Sequence, residues 1–163
     1  MSGWSLRRLE PSDWALMRAV RLAMLLDEPS AYGSTFARES AFTEEIWRER
    51  LQQSVFIVER EDGLPLASAT LLRLDPQDES EIVAMWVAGH ARGQGLADAL
   101  VHACREQAVA DGAESVVLYV MVDNPRAAAA YARLGFIADD APVGADGCAR
   151  MHWRPGGERG TNE

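Results

Sequence analysis

The chain has 163 residues and a mass of 17.9 kDa, carries 16 basic against 25 acidic side chains for a net charge of −9, and is 48% hydrophobic. That length suits one compact domain of roughly 100–200 residues, and the hydrophobic share argues against wholesale disorder. A pI near 4.8 excludes a protein whose main partner is a nucleic-acid backbone, because gripping phosphates along a strand takes a dense basic face.

Trp4 to Leu9 reads as an opening strand, and Pro11-Ser12-Asp13 is a helix start with a capping residue just ahead of Trp14. Leu16, Val20, Ala23 and Met24 then recur at helical spacing and predict an amphipathic helix that ends before Pro29. Asp27 to Ser34 is a loop by composition. Thr43 with Glu44 and Glu45 caps a second helix whose apolar positions are Ile46, Trp47 and Leu51. Val55–Glu59, Leu66–Leu74 and Glu81–Val87 follow as strands, separated by Glu61-Asp62-Gly63 and by Asp75-Pro76-Gln77-Asp78, the pattern of an antiparallel meander. After Gly95 a helix runs to Asp111-Gly112. Ser115–Val122 is nearly all apolar, as in a strand covered on both faces. Strand, helix and strand in that order predict a right-handed crossover and a parallel pair. Pro125 opens a further helix through Leu134, Gly135 stops it, and weak strands around Phe136-Ile137 and Arg150–Trp153 close a single domain over residues 1–154. Residues 155–163 are Gly-rich and polar and read as a flexible tail.

Cys104 and Cys148 lie far apart, outside any CxxC or Cys/His cluster, so they read as buried small hydrophobes, with no metal site and no disulfide framework. All 16 basic residues are arginine. No basic segment followed by a 7–15-residue apolar run opens the chain, and no apolar stretch approaches ~18 residues. The expectation is a cytoplasmic, soluble protein with neither membrane nor nucleic acid as partner.

The sharpest feature lies between a predicted strand and a predicted helix, at Arg92-Gly93-Gln94-Gly95-Leu96-Ala97. Small residues there let successive backbone N–H groups approach a ligand, and the start of the helix adds partial positive charge, the two requirements of an anion site. Arg92 adds a cation that can fork onto phosphate oxygens. Gly93 and Gly95 are equally read as glycines that merely relieve a tight turn. A dinucleotide fold is disfavoured, because the third glycine of GxGxxG is missing, and no GxxxxGK[ST] occurs.

Those residues match the R/Q-x-x-G-x-G/A signature of the GNAT superfamily of acyl-CoA-dependent N-acetyltransferases, which the chain resembles. A second match is Asn124-Pro125-Arg126-Ala127, Tyr131 and Gly135-Phe136, at the spacing of that family's N-x-x-A-x-x-x-Y-x-x-x-G-F. The resemblance covers about Leu6 to Trp153, the first third by order of elements alone. It implies an α/β (mixed α+β) GNAT fold, with a mixed central sheet of about six to seven strands, about four flanking helices and splayed central parallel strands.

It further implies acetyl-CoA as cosubstrate and no metal. The diphosphate would lie on the amides from Arg92, Gly93, Gln94, Gly95 and Leu96 to Ala97. Met85, Trp86 and Val87 would offer main-chain contacts to the pantetheine and acetyl groups, with Asn124 and Ala127 of the second motif also on the cofactor side. Asp98 departs from the Ser, Thr or basic residue of many relatives and sets a negative charge near the proposed phosphates, implying modest affinity unless the carboxylate points away.

Direct acetylation needs a neutral amine, a stabilised oxyanion and a proton for the leaving thiolate. Deprotonating an alkyl amine of pKa ≈ 10.4 at pH 7 costs on the order of 4.6 kcal/mol without help. The resemblance implies Tyr131 as proton donor and Glu81 as base. Strand alternation puts Glu79 on the face of Glu81, so a small shift would let it substitute. His90 reads as a surface group or phosphate contact, and His102 and His152 as groups that pack or face water. Cys104 has no cue for an activated thiolate, and no Gly-x-Ser-x-Gly elbow occurs, which disfavours a covalent acetyl-enzyme. Asp27, Glu28 and Glu39 among Tyr32, Phe36 and Phe42 form either an acidic rim for a cationic amine or an ordinary acidic loop.

The reading is therefore an enzyme acetylating a primary amine, on a small molecule or a peptide, by direct attack in a ternary complex. The alternative is a noncatalytic acyl-CoA-binding sensor or interaction domain of the same fold. By analogy with similar folds, a homodimer is an expected assembly.

Overall fold

The computed structural model describes residues 3–75 and 78–156, so Pro76 and Gln77 of the predicted turn, and the expected tail from residue 157 onward, lie outside the described residues. Strand β1 (Trp4–Arg8) pairs antiparallel with β2 (Ser54–Arg60), from Trp4↔Arg60 to Arg8↔Phe56. Helix α1 (Trp14–Asp27) buries Met17, Val20 and Met24 at helical spacing, with Leu22 and Leu25 beside them. Asp13 does not cap α1 with its side chain. Its Oδ2 instead accepts the Glu10 N–H at 2.8 Å and the Arg7 guanidinium at 3.0 Å, closing a 3-10 turn at Pro11–Asp13 that leads into the helix.

Composition alone does not reveal α2 (Phe36–Ser40), a short helix started by Thr35, whose hydroxyl accepts the Arg38 N–H at 3.1 Å. It brings the α-helices among the described residues to five, in keeping with the expectation of about four. Thr43 caps α3 (Glu44–Arg50) as its sequence predicts, its hydroxyl accepting the Ile46 N–H at 3.4 Å. The remaining elements are β3 (Pro65–Arg73), β4 (Glu79–Val87), α4 (Leu96–Ala110), β5 (Ser115–Met121), α5 (Pro125–Arg133), β6 (Ile137–Ala138) and β7 (Cys148–Trp153). The seven strands form one mixed sheet in the order β1-β2-β3-β4-β5-β7-β6. Each predicted strand is found, with ends shifted by one or two residues.

Two compact units account for the described residues, one drawn from Met1–Thr70 and Ala84–Cys104, the other from Leu71–Val83 and Arg105–Glu163. In the first, α1 packs on α2 and α3, and Val55–Val58 of β2, Leu66 and Ala67 of β3 and Trp47 of α3 are buried. Glu39 of α2 is also fully buried. Arg21 of α1 reaches its carboxylate at 3.0 Å and Arg50 of α3 at 2.7 Å. This corrects the rim reading of Glu39: burial would raise its carboxyl, yet the Arg21 guanidinium, a Ser34 hydrogen bond and the Arg50 charge together hold it below the ordinary value.

In the second unit β5 pairs antiparallel with β7, from Val116↔Trp153 to Met121↔Cys148, and β6 pairs with β7. The start of β4 runs parallel to β5 over Glu79↔Ser115, Ser80↔Val116 and Glu81↔Val117. The Arg105 guanidinium of α4 donates to the Leu134 carbonyl that follows α5 and stacks 5.0 Å from the Trp153 ring. The expectation that β5 is covered on both faces fails in its second half: Tyr119 is 51% and Met121 45% exposed, while Val116, Leu118 and Val120 on the opposite face are buried.

Candidate functional site

The residues predicted to form an anion cradle fall in the turn from β4 into α4. Gly93 and Gly95 both adopt φ +78°, where a side chain would be strained, and a Cβ added to either would meet nothing within 4 Å. Among the described residues, the N–H groups of Gly93, Gly95, Leu96 and Ala97 donate to no protein acceptor. Two of these belong to the first turn of α4, where donors lack intrahelical partners. Open space above unspent, clustered donors fits a diphosphate, so the residues present suit the cofactor that the motif implies. Arg92 is exposed and pairs with Glu28 of the α1–α2 loop at 3.2 Å. Asp98 is exposed in the first turn of α4.

Immediately upstream, β4 contains a feature with no sequence signal. Ala84 has φ +54°, the one non-glycine residue with positive φ among those described, a strained conformation of the kind that persists only where surroundings enforce it. The Met85 carbonyl lies 3.2 Å from the Tyr32 hydroxyl, which is also 3.2 Å from Glu28 Oε2. One hydroxyl hydrogen serves two acceptors there, and burial followed by the Glu28 charge pushes the phenol above its ordinary value. Trp86 is buried and donates its indole N–H to Asp27 at 3.0 Å. Asp27 also lines an apolar cavity of about 470 Å³ with Val20, Ala23, Leu64, Trp86 and Ala88.

The second motif lies in the other unit. Asn124 begins α5, and its side-chain oxygen accepts the Ala127 N–H at 3.1 Å, so the Asn124 NH2 stays available while the Ala127 N–H is spent. Tyr131 packs edge-on against Phe136, ring centroids 6.0 Å apart, and is half-buried. Of the two carboxylates weighed as base, Glu79 accepts the Arg150 guanidinium at 2.6 Å and the Ser115 hydroxyl at 3.3 Å. Glu81 is half-buried and accepts no hydrogen bond among the described residues; burial and then the Glu79 charge raise its carboxyl above the ordinary value. Arg150 also grips Asp139, and His152 Nδ1 lies 3.8 Å from that carboxylate, a neighbour the sequence does not indicate. His90 is exposed in the 3-10 turn Gly89–Ala91 that follows β4. Cys104 is fully buried and its thiol is pushed up to about 12 by desolvation.

No helix among the described residues is long and apolar enough to cross a membrane. A model of the acetyltransferase (GNAT) family matches residues 21–136. The mycothiol acetyltransferase of Corynebacterium efficiens is 39% identical over 75 residues, which are 46% of this chain and 25% of that protein. The mycothiol acetyltransferase of Corynebacterium glutamicum is 34% identical over 82 residues, 50% of this chain and 28% of that one. The chain thus spans about a quarter of the length of these curated relatives. Among solved structures, the acetyltransferase of GNAT family from Streptococcus pneumoniae has a TM-score of 0.73 at 17% identity, with 93% of this chain and 99% of that chain covered. A spermidine N-acetyltransferase mutant from Vibrio cholerae has 0.71 at 19%, with 94% and 95% covered. The Salmonella typhimurium protein yncA, solved with its cofactor acetyl-CoA, has 0.72 at 19%, with 94% of each chain covered. At these identities the likeness is one of fold.

Proposed function

The chain belongs to the acetyltransferase (GNAT) family, and from that membership we propose that it transfers the acetyl group of acetyl-CoA to a primary amine by direct attack in a ternary complex. The observation that carries this reading is the cradle: glycines at φ +78° facing open space, beside N–H groups with no acceptor among the described residues. Acetyl-CoA, when bound, supplies an activated thioester. The amides from Gly93 to Ala97 and the positive end of α4 hold the diphosphate, and Arg92 adds a guanidinium once it turns from Glu28. The main chain at Met85, Trp86 and Val87 aligns the acyl arm and polarises the carbonyl. The Asn124 NH2 contacts the pantetheine arm.

Glu81 takes the proton from the ammonium, which makes the nitrogen lone pair available. As the carbon–nitrogen bond forms and the carbon–sulfur bond breaks, Tyr131 would give its proton to the departing thiolate and take the second amine proton in return, leaving a neutral amide and a restored phenol. A base with a raised carboxyl is better matched to that task than an ordinary one, since its proton affinity lies nearer neutral pH. A cationic acceptor is supported by Asp27, whose only hydrogen-bond donor among the described residues is the neutral Trp86 indole, leaving its charge uncompensated beside an apolar cavity.

The test is a panel of amines, including polyamines, amino sugars and peptide amino termini, assayed for free CoA thiol, alongside calorimetry with acetyl-CoA. Tyr131→Phe is expected to lower kcat by about 100-fold or more while leaving acetyl-CoA affinity unchanged. Full turnover in that variant removes Tyr131 from the mechanism, and tight cofactor binding with no turnover on any amine favours a noncatalytic acyl-CoA-binding module.

A further inference from the structure

Within the second unit, one face of β4, β5 and β7 carries a charge arrangement that the family signatures do not include. Glu79 and Glu81 stand two residues apart on β4 and so share a face. Their strand neighbours on β5 are Ser115 and Val117, and β7 sets His152 opposite Val117 and Arg150 opposite Tyr119. The hydrogen bonds agree with that placement, since Arg150 and Ser115 both reach the same oxygen of Glu79. Arg150 spends its other terminal nitrogen on Asp139, which follows β6. Glu81 receives none of these donors, although it is half-buried and its backbone pairs with fully buried Val117. Two carboxylates of one strand thus sit in opposite electrostatic circumstances.

We infer that Arg150 is a positioning residue that divides labour between the pair, keeping Glu79 as a committed anion so that Glu81 alone is left to accept the proton of the incoming amine. This rests on the acetyl-transfer reading above. Like charges on neighbouring carboxylates cannot both be ionised at low cost, and whichever has the better donors ionises first. Glu79 has a guanidinium and a hydroxyl, whereas the Glu81 anion has burial and the repulsion of Glu79 against it and the far field of Arg150 in its favour. Among the described residues of this unit, Asp139 pairs with Arg150, His152 Nδ1 lies 3.8 Å from Asp139, and Tyr119 stands opposite Arg150 on β5. Asp78, Glu114 and Arg154 line a polar cavity of about 380 Å³ with Glu79 and Ser115 where β4 and β5 begin. Sequence alternation treats Glu79 and Glu81 as interchangeable; the donors on β5 and β7 distinguish them.

The experiment is a carbon-detected NMR titration of side-chain carboxyls in the cofactor-free protein, with the two signals assigned by their loss in Glu79→Gln and Glu81→Gln. In the unsubstituted protein Glu81 is expected to titrate in one step above the ordinary carboxyl value. Arg150→Met should turn the Glu81 curve into a two-step one, Arg150→Lys should keep it single, and Glu79→Gln should lower the Glu81 midpoint. A Glu81 midpoint at or below the ordinary carboxyl value in the unsubstituted protein, or an unchanged Glu81 curve in Arg150→Met, would overturn the inference. If Arg150→Met does not fold, Glu79→Gln still decides, because an unmoved Glu81 midpoint would mean that the two groups do not sense one another. The acidic limb of kcat/KM should follow the Glu81 midpoint in each active variant. Full turnover by Glu81→Gln would overturn the base assignment itself, a result read in activity and separate from the carboxyl ordering.

Discussion

Gly95→Ala separates what the cradle costs in the free protein from what it does for a ligand. At φ +78° a Cβ brings roughly 1–2 kcal/mol of backbone strain, but the added methyl meets no atom within 4 Å, so no steric clash adds to it. For a chain of this length that strain lowers Tm by about 2–8 °C. Gly63, in the turn between β2 and β3, is the matched control, at φ +84° and equally open. Gly63→Ala should therefore lose a similar amount of stability. The two variants part company with acetyl-CoA, because only at position 95 does the methyl project where the diphosphate must approach the amides. Calorimetry should show Gly95→Ala binding at least about tenfold more weakly, on the order of 1.4 kcal/mol, with Gly63→Ala unchanged. Equal affinities in the two variants would refute the placement of the diphosphate. A much larger thermal loss at position 95 than at 63 would instead refute the open space above it.

The buried carboxylate of Glu39 and the thiol of Cys104 supply two more. Glu39→Gln removes the counter-charge of two guanidiniums and should cost about 3 kcal/mol, the low end for a broken buried pair, because Arg21 at 15% and Arg50 at 34% exposure can recover some water. Since the folded carboxyl is held below the usual 4.5, that contribution is complete above the unfolded value and fades as pH falls through the folded one. Melts of the two proteins should converge in acid, and a gap that stays constant with pH would count against the pairing. Cys104, with its thiol pushed up to about 12, should resist iodoacetamide at pH 8 until the protein unfolds. Peptide mapping separates it from the partly exposed thiol of Cys148, and rapid labelling at Cys104 itself in the native protein would refute its burial.

What the sequence makes legible follows from how local the cause is. Thr43, Pro125 and the glycines at 93, 95 and 135 act within a turn, so the helices they open or close and the turn at Gly93 and Gly95 are readable from spacing. The loop between α1 and α2 was harder: Thr35 caps a helix of only five residues, too short for an apolar period to register. Features made by distant partners leave no trace in spacing. The Arg150–Glu79 bond joins residues 71 positions apart and Trp86–Asp27 joins residues 59 apart. Composition marks Glu39 as one more acid in an acidic chain, while its burial depends on arginines from two other helices. From Ser115 to Val122 the run carries no charged residue to reveal that Tyr119 and Met121 are exposed.

The carboxylate of Glu39 also governs how the first unit comes apart. It draws one guanidinium from α1 and one from α3 while itself riding on α2. Lifting any single helix away would strand an interior charge that the remaining two could not fully answer. The three helices are therefore held to a common fate, and amide exchange along them should report a single opening equilibrium instead of piecemeal fraying.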